Sequence, residues 1–464
     1  MSKTPSRAAA AIDMLRAEHE GPAGLERRQR QRLAELLAHA RARSPFYCDR
    51  YAHLPQSALP LTDLPPVTKP ELMAHFDAWV TDPRITRHGV EAFLACGANL
   101  GRPFLGEYLA CTSSGTTGHP ALFIHDQRAI NVYRAIALAR IDRSWVSPRG
   151  VWEILLKRGR WAAAVGTAGH FAAAGWMEHE KRRDGLRRHA YAAFSVEQPL
   201  ADLVAQLNRY DPAALTTYPS ALELLAQERM AGRLHIDPVI IEATGESLSA
   251  ADKVRMGAAF GRPVHEAYGT SEFQCIAFDC DCGWLHVNSD WIVVEPVDAH
   301  HAPTPPGTPS HTVLITSLAN QVQPLIRYDL GDSVLVSDTP CPCGSPLPAI
   351  RVQGRKDDTL HLRTAAGAVV HITALAIGSV IEQAGGLQRF QLVQTGPCDI
   401  RVRIEPHAGA DAQEVWQQVA AHLQTFLAAQ GLSNVQCAQG YEPFASSGLS
   451  GKFRQVIGLT EGGT

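Results

Sequence analysis

The sequence predicts an α/β protein in two parts: a large multi-lobed N-terminal domain of mixed sheets with covering helices over 1–355, and a small α+β C-terminal domain over 356–464. Three observations lead there. The chain has 464 residues, more than one hydrophobic core fills. From 108 to 270, apolar strand-like runs alternate with helical ones, the pattern of a largely parallel sheet with helices on its faces. Beyond Gly354-Arg355, strand signals at 390–393 and 400–404, a helical pattern over 412–430 and a strand at 435–437 make a β-α-β order of compact-domain size.

In chain order, 1–60 reads as helical. The basic run Arg27-Arg28-Gln29-Arg30-Gln31-Arg32 leads into Leu33, Leu36, Leu37 and Ala40 at helical spacing, so it is expected to be the wet face of an amphipathic helix. Thr68 is placed to cap a short helix beginning at Pro70. Short strands are expected at 107–110 and 121–125, on either side of a hydroxyl-rich loop. Further strands are expected at 152–156, 214–218 and 239–244, with a helix over 220–229. Short strands at 291–294, 312–316 and 333–336 suggest a separate β-rich subdomain over about 275–350.

Composition narrows the function classes. A hydrophobic fraction of 45% with 19% charged residues is that of an ordinary globular protein. A net charge of −3 gives no general attraction to nucleic acid or to an anionic membrane. The longest apolar stretch, 161–177, is interrupted by glycines and His170 and is too short to span a bilayer. No secretory signal is read at the start. Ten cysteines in this length are too sparse for a disulfide scaffold, so a reducing, cytoplasmic setting is expected, with clustered cysteines as metal ligands.

The chemistry centres on Cys111-Thr112-Ser113-Ser114-Gly115-Thr116-Thr117-Gly118-His119-Pro120. Glycines let a backbone approach a ligand, and successive N–H groups with Ser and Thr hydroxyls cradle phosphate oxygens. A strand follows instead of a helix, and no loop lysine is present, so this is not a Walker-type loop. Five more stretches carry weight: Ala243-Thr244-Gly245-Glu246; Ala267-Tyr268-Gly269-Thr270-Ser271-Glu272; Arg327-Tyr328-Asp329-Leu330-Gly331-Asp332; Gly354-Arg355-Lys356-Asp357-Asp358; and Ser450-Gly451-Lys452-Phe453-Arg454.

In this order, the six stretches resemble the motif series of the AMP-forming adenylating enzymes, the acyl- and aryl-CoA ligase superfamily. The loop itself, Tyr47, Gly169-His170-Phe171, Arg327-Tyr328 and Gly331-Asp332 look most like the phenylacetate–CoA ligase branch. His119 departs from the pattern, since many relatives carry lysine after the loop's second glycine.

The resemblance implies that ATP and Mg²⁺ convert a carboxylic acid, expected to be aromatic, into an acyl-adenylate, whose acyl group passes to coenzyme A. A carrier-protein thiol or an amine is the alternative acceptor, and a zinc-stabilised nucleotide-binding protein without catalysis is the third reading. In the implied assignment Ser113, Ser114, Gly115, Thr116, Thr117 and Gly118 hold phosphates. Glu272 takes Mg²⁺, Asp332 the ribose hydroxyls, and Tyr268, Gly269, Thr270, Ser271, Gly245 and Glu246 the nucleotide. Lys452, on a mobile C-terminal domain, bridges acid and α-phosphate, with Asp357 as hinge and Arg355 on the nucleotide. His170, Phe171, Tyr218, Pro219, Ala243 and Ala267 line the acid pocket. Homodimers are usual in such relatives.

Cys280-Asp281-Cys282-Gly283-Trp284-Leu285-His286 and Cys341-Pro342-Cys343-Gly344 gather five metal-binding side chains in two knots. Zinc takes four tetrahedrally. The preferred set is Cys280, His286, Cys341 and Cys343, with Cys282 as rival. Four protein ligands would make the Zn²⁺ structural.

Overall fold

The structure, a computed structural model, describes residues 4–55, 60–113, 121–167, 170–183, 185, 188–355, 358–372, 374–444, 446–447 and 452–459. A nine-stranded sheet is its backbone. Five strands run parallel, in the spatial order Val264–Tyr268, Ile240–Thr244, Ala214–Thr217, Trp161–Val165 and Tyr191–Ser195. Antiparallel strands extend the other edge: Ala277–Asp279, Leu285–Val287, Ala349–Arg355 and Asp332–Val336. The expected parallel sheet with covering helices is therefore present. The region expected as a separate β-rich subdomain instead contributes four strands to this same sheet. Only Ile292–Val297, Thr312–Ser317 and Tyr328–Asp329 form a sheet apart from it.

Alternation along the parallel strands divides the packing. Ala162, Leu215, Ile241, Ala243 and Val264 point into a core shared with the helices Leu200–Tyr210, Pro219–Met230 and Ala250–Phe260. The opposite face looks toward the cavity described below. A second core lies C-terminal, from Leu360 to Val456. It is built on the sheet Gln436–Gly440, Asp399–Pro406, Leu387–Gly396 and Val456–Ile457 and the helix Ala412–Ala429, whose Val415, Val419, Leu423 and Leu427 make one buried stripe. Asp399–Pro406 and Gln436–Gly440 run parallel across that helix, the β-α-β unit expected from the sequence.

Two local expectations give way. Residues 152–156 belong to the helix Pro148–Leu156: Ser147 caps it, its Oγ accepting from Gly150 N–H at 3.1 Å, and Pro148 pre-sets the first turn. The cap signal outweighs the apolar run, and Trp152 and Leu156 are 70% and 82% exposed. Nor is the Arg27–Arg32 run all wet. Arg32 is buried, its guanidinium 3.5 Å from the Trp291 ring centre and paired with Asp290 and Asp13. The helix Gly21–Arg43 is covered on two sides, one of them by Arg7–His19, a packing that helical periodicity alone does not register. Thr68 occupies the cap position of Lys69–Ala74, but its side chain makes no cap bond.

Candidate active site

A cavity of about 2000 Å³ opens beyond the carboxyl ends of the parallel strands and is walled on one side by the C-terminal sheet. Parallel sheets place ligands at these strand ends, where connecting loops diverge and backbone groups are free. Each sequence-predicted motif can be located against it.

The hydroxyl-rich loop joins an antiparallel pair, Leu109–Thr112 with Leu122–His125. Ser113 closes the hairpin: its N–H donates to Ala121 O at 2.9 Å and its Oγ accepts from Ala121 N–H at 2.9 Å. Thr112 and Ser113 face the cavity. Ser114, Gly115, Thr116, Thr117, Gly118 and His119 lie outside the described residues.

Beneath the hairpin, His125 ties its second strand to the Thr270-Ser271-Glu272 loop. Nε2 lies 3.0 Å from Ser271 O and Nδ1 3.1 Å from the Tyr133 hydroxyl. A carbonyl only accepts, so Nε2 carries the proton and Nδ1 accepts from Tyr133. The ring is 1% exposed, and burial lowers its pKa from 6.5 to about 4. The unfolded chain takes up this proton at higher pH than the folded one. The stability linked to His125 is thus full above about pH 6.5 and falls as pH drops toward 4, by about 2 kcal/mol between pH 7 and pH 5. Urea unfolding of wild type and His125→Gln at the two pH values measures it; the variant loses less on acidification.

Glu272 is 7% exposed and accepts from the Tyr328 hydroxyl at 3.0 Å on Oε1. Burial pushes its carboxyl above the usual range, while Tyr328, Thr270 and the Lys69 charge oppose the shift. Gly269 makes the turn possible, because a Cβ there would sit 2.0 Å from Gln274 O. Asp332 accepts from the Tyr268 hydroxyl at 2.7 Å on Oδ2, and Arg355 Nε lies 3.4 Å from its Oδ1. The pairing Asp332↔Arg355 sets this contact across neighbouring strands. The Tyr268 ring was expected beside adenine; its hydroxyl is engaged with Asp332.

Gly245, at φ +82°, ends the strand Ile240–Thr244 and turns Glu246 back on itself. Glu246 accepts from Ser220 N–H and Oγ–H, both at 3.0 Å, and from Phe453 N–H at 2.8 Å. That last bond crosses from the N-terminal sheet to the C-terminal hairpin Ser446–Ser447 with Lys452–Phe453. The backbone of Lys452 therefore sits next to Glu246, and the Lys452 side chain lies outside what is described. Arg454, one residue on, donates through Nε to Asp358 Oδ1 at 2.8 Å. Lys356 and Asp357, the expected hinge, are outside the described residues; Arg355 lines the cavity.

Of the acid-pocket residues, Phe171, Tyr218, Pro219 and Ala267 line the cavity. His170 and Ala243 do not. The His170 ring is buried, Nε2 lying 3.1 Å from Cys96 O, so it braces a loop. Ala243 faces the helix-covered core, because strand alternation turns its neighbours Glu242 and Thr244 toward the cavity instead. Sequence reasoning missed Glu242, Thr216, Trp161, Tyr328 and Lys69, all on the cavity wall. The available signal was a lone carboxylate in the apolar run Val239-Ile240-Ile241-Glu242-Ala243. Tyr47 and Arg327 are structural: the Tyr47 hydroxyl donates to Pro324 O at 3.2 Å, and Arg327 donates to the carbonyls of Thr62 and Leu64.

Away from this cavity, ligand atoms of Cys280, His286, Cys341 and Cys343 lie within 4.8 Å of one another. Cys280 Sγ and Cys341 Sγ are 3.6 Å apart, close to the sulfur–sulfur edge of about 3.7 Å in a zinc tetrahedron with Zn–S near 2.3 Å. His286 Nδ1 lies 3.2 Å from Leu347 O, and Nε2 lies 3.1 Å from Cys343 Sγ. A carbonyl that fixes the Nδ1 proton leaves the Nε2 lone pair aimed at the cluster. Cys282 is exposed and falls outside the set.

No protein-family model and no curated protein matches the chain. Solved structures do. The 2-hydroxyisobutyryl-CoA ligase in its postadenylation state, with 2-HIB-AMP bound, superposes with a TM-score of 0.65 at 21% identity, over 93% of this chain and 89% of that one. A benzoate CoA ligase from Burkholderia xenovorans LB400 gives 0.51 at 16%, over 75% and 67%. The amide bond synthetase McbA from Marinactinospora thermotolerans gives 0.50 at 12%, over 74% and 66%. No helix among the described residues is long and apolar enough to cross a membrane. The fold expected from the ordered motifs is borne out: this chain shares the architecture of these two CoA ligases and of the amide bond synthetase.

Proposed function

We propose that the protein activates a carboxylic acid with ATP and passes the acyl group to the thiol of coenzyme A, as an aryl-acid ligase of the phenylacetate–CoA ligase-like branch. The observation that carries this reading is the Glu246–Phe453 hydrogen bond. It joins the strand end beside Asp332 and Glu272 to the hairpin bearing Lys452. The same 2-hydroxyisobutyryl-CoA ligase superposes at 0.65 in its postadenylation state but at 0.53 in its thioesterification state. The arrangement of this chain is therefore nearer the postadenylation state, and a C-terminal domain that moves between the two steps would account for the difference.

In the first step an oxygen of the acid attacks the α-phosphorus, the bond to the β-phosphate oxygen breaks, and pyrophosphate leaves. Negative charge grows on phosphate oxygens, so fixed donors and cations aimed there lower the barrier. Thr112, Ser113 and the loop beyond them would cradle the phosphates. The Lys452 ammonium would bridge the acid carboxylate and the α-phosphate. Asp332, held by Tyr268 and Arg355, would accept both ribose hydroxyls. A buried carboxylate facing a cavity suits a hard cation, so Glu272 is the residue that would hold Mg²⁺. Magnesium bound with the nucleotide supplies positive charge at the phosphates. Phe171 and Tyr218 give the acid an aromatic wall, which favours a flat ring. Zinc at Cys280, His286, Cys341 and Cys343 would be structural, since four protein ligands leave no open position.

Exchange of labelled pyrophosphate into ATP, measured over a panel of aromatic and aliphatic acids, tests the first step; no exchange with any acid rejects it. Adding coenzyme A and then amines identifies the acceptor, and the likeness to an amide bond synthetase makes the amine arm worth including. Asp332→Ala is expected to raise KM for ATP about 30-fold, the loss of roughly 2 kcal/mol from two charge-assisted bonds, with a smaller change in kcat.

A further inference from the structure

The proposed chemistry leaves one wall of the cavity unused. Trp161, Thr216, Glu242 and Thr244 project from neighbouring parallel strands onto that wall. The Trp161 indole N–H donates to Thr216 Oγ1 at 2.8 Å, and the Thr216 hydroxyl donates to Glu242 Oε2 at 2.6 Å. The relay fixes the carboxyl and occupies one of its oxygens. Oε1 has no hydrogen bond among the described residues, and the group has no ion pair. Asp142 follows the π-helical turn Ala137–Ile141, faces the same cavity and makes no ion pair among the described residues. The arginines on the wall are differently placed, each with its own carboxylate: Arg134 with Glu180, Arg143 with Glu18, Arg160 with Asp211.

Burial raises both carboxyls, Asp142 to about 6; at Glu242 the Thr216 hydrogen bond opposes the rise, while Asp279 and, to a lesser degree, Asp142 add to it. Three indoles, Trp145, Trp161 and Trp176, line the cavity with them. Desolvated carboxyls beside aromatic faces form a receptor for N–H groups, charged ones above all. Depth fits as well. Glu242 lies two residues below Thr244 on one strand, about 7 Å from the strand end where the acid's carboxyl is activated. A single substituted benzene ring covers that distance.

We propose that the acid this enzyme activates carries an amino group at its far end, and that Glu242, oriented by Thr216 and Trp161, receives it. The inference rests on the adenylating reading and names its substrate class. An acid lacking the donor leaves Glu242 Oε1 without a hydrogen bond, so discrimination is expected to be larger than a hydrophobic pocket gives.

The test uses matched pairs on the full-length chain: para-aminomethylbenzoate against para-ethylbenzoate, and para-aminobenzoate against para-methylbenzoate. Calorimetric binding and kcat/KM for pyrophosphate exchange are both measured. In at least one pair the amino acid is expected to bind and react better by roughly 30-fold, and the isosteric Glu242→Gln to bring the ratio within about threefold. Which pair responds separates a charged ammonium from a neutral arylamine. Equal treatment of both members by the wild type, binding of neither, or a preference that survives Glu242→Gln overturns the proposal. Preferential binding of the amine without exchange for any acid would instead leave this receptor standing and remove the adenylating reading. Robust exchange with no amine preference would do the reverse.

Discussion

Lys452→Ala is expected to slow acid-dependent pyrophosphate exchange by 100-fold or more, while thioester formation from preformed acyl-adenylate changes by less than about threefold. The first figure corresponds to ~3 kcal/mol, the usual loss when one preorganised charge is removed from a developing oxyanion. The asymmetry between the steps is the informative part. Phe453 N–H is bound to Glu246 at 2.8 Å, so the hairpin bearing the lysine is docked at the cavity where the first step is proposed to take place. A lysine needed only there can leave for the second step without penalty. Rapid-quench kinetics with a synthetic acyl-adenylate separate the two. If both steps fell equally, Lys452 would be holding the domains together instead of stabilising the first transition state. If neither fell, the proposed mechanism would lose its bridging cation.

Much of this architecture can be read from the chain, and the exceptions share a cause. The parallel strands carry apolar runs bounded by turn residues, and the second core follows from the stripe of Val415, Val419, Leu423 and Leu427. The ordered motifs locate Asp332, Glu272 and Glu246 at strand ends because glycine turns and carboxylates recur there. Failures arise where a tertiary partner decides the outcome. Ala243 and His170 lie within motifs, yet the helices on one side of the sheet decide which face Ala243 presents, and the Cys96 carbonyl takes the His170 ring. Arg32 reads as solvated until Trp291 and Asp290, more than 250 positions later, pack against it. Glu242 looks like an interruption in a buried strand, and only the Trp161 and Thr216 side chains of adjoining strands give it a purpose. The sequence offers five side chains for four places; the structure brings the ligand atoms of Cys280, His286, Cys341 and Cys343 within 4.8 Å of one another, with Cys282 exposed beside Cys280 and Cys341.

Zinc removal is expected to have the largest effect on stability and to reach the nucleotide site as well. The two cysteine knots adjoin paired strands: Ala349 pairs with His286 and Ile350 with Leu285. At its other end the strand Ala349–Arg355 sets Arg355 opposite Asp332. Four ligands gathered round a metal at one end would thus fix the register of a strand whose far end lies opposite Asp332, the carboxylate proposed to bind ribose. Metal binding to such a closed set contributes directly to folding free energy. Purified protein is expected to hold one zinc per chain by mass spectrometry of the metal. Cys341→Ser is expected to lose the metal, lower Tm by about 3–4 °C, equivalent to roughly 2–3 kcal/mol in a domain of this size, and raise KM for ATP. Cys282→Ser serves as the control, since it alters a thiol in the same knot but outside the set, and it is expected to keep both metal and Tm. Equal metal loss in the two variants would mean that Cys282 is a ligand. Metal-free wild-type protein with an unchanged Tm would reduce the cluster to four neighbouring side chains.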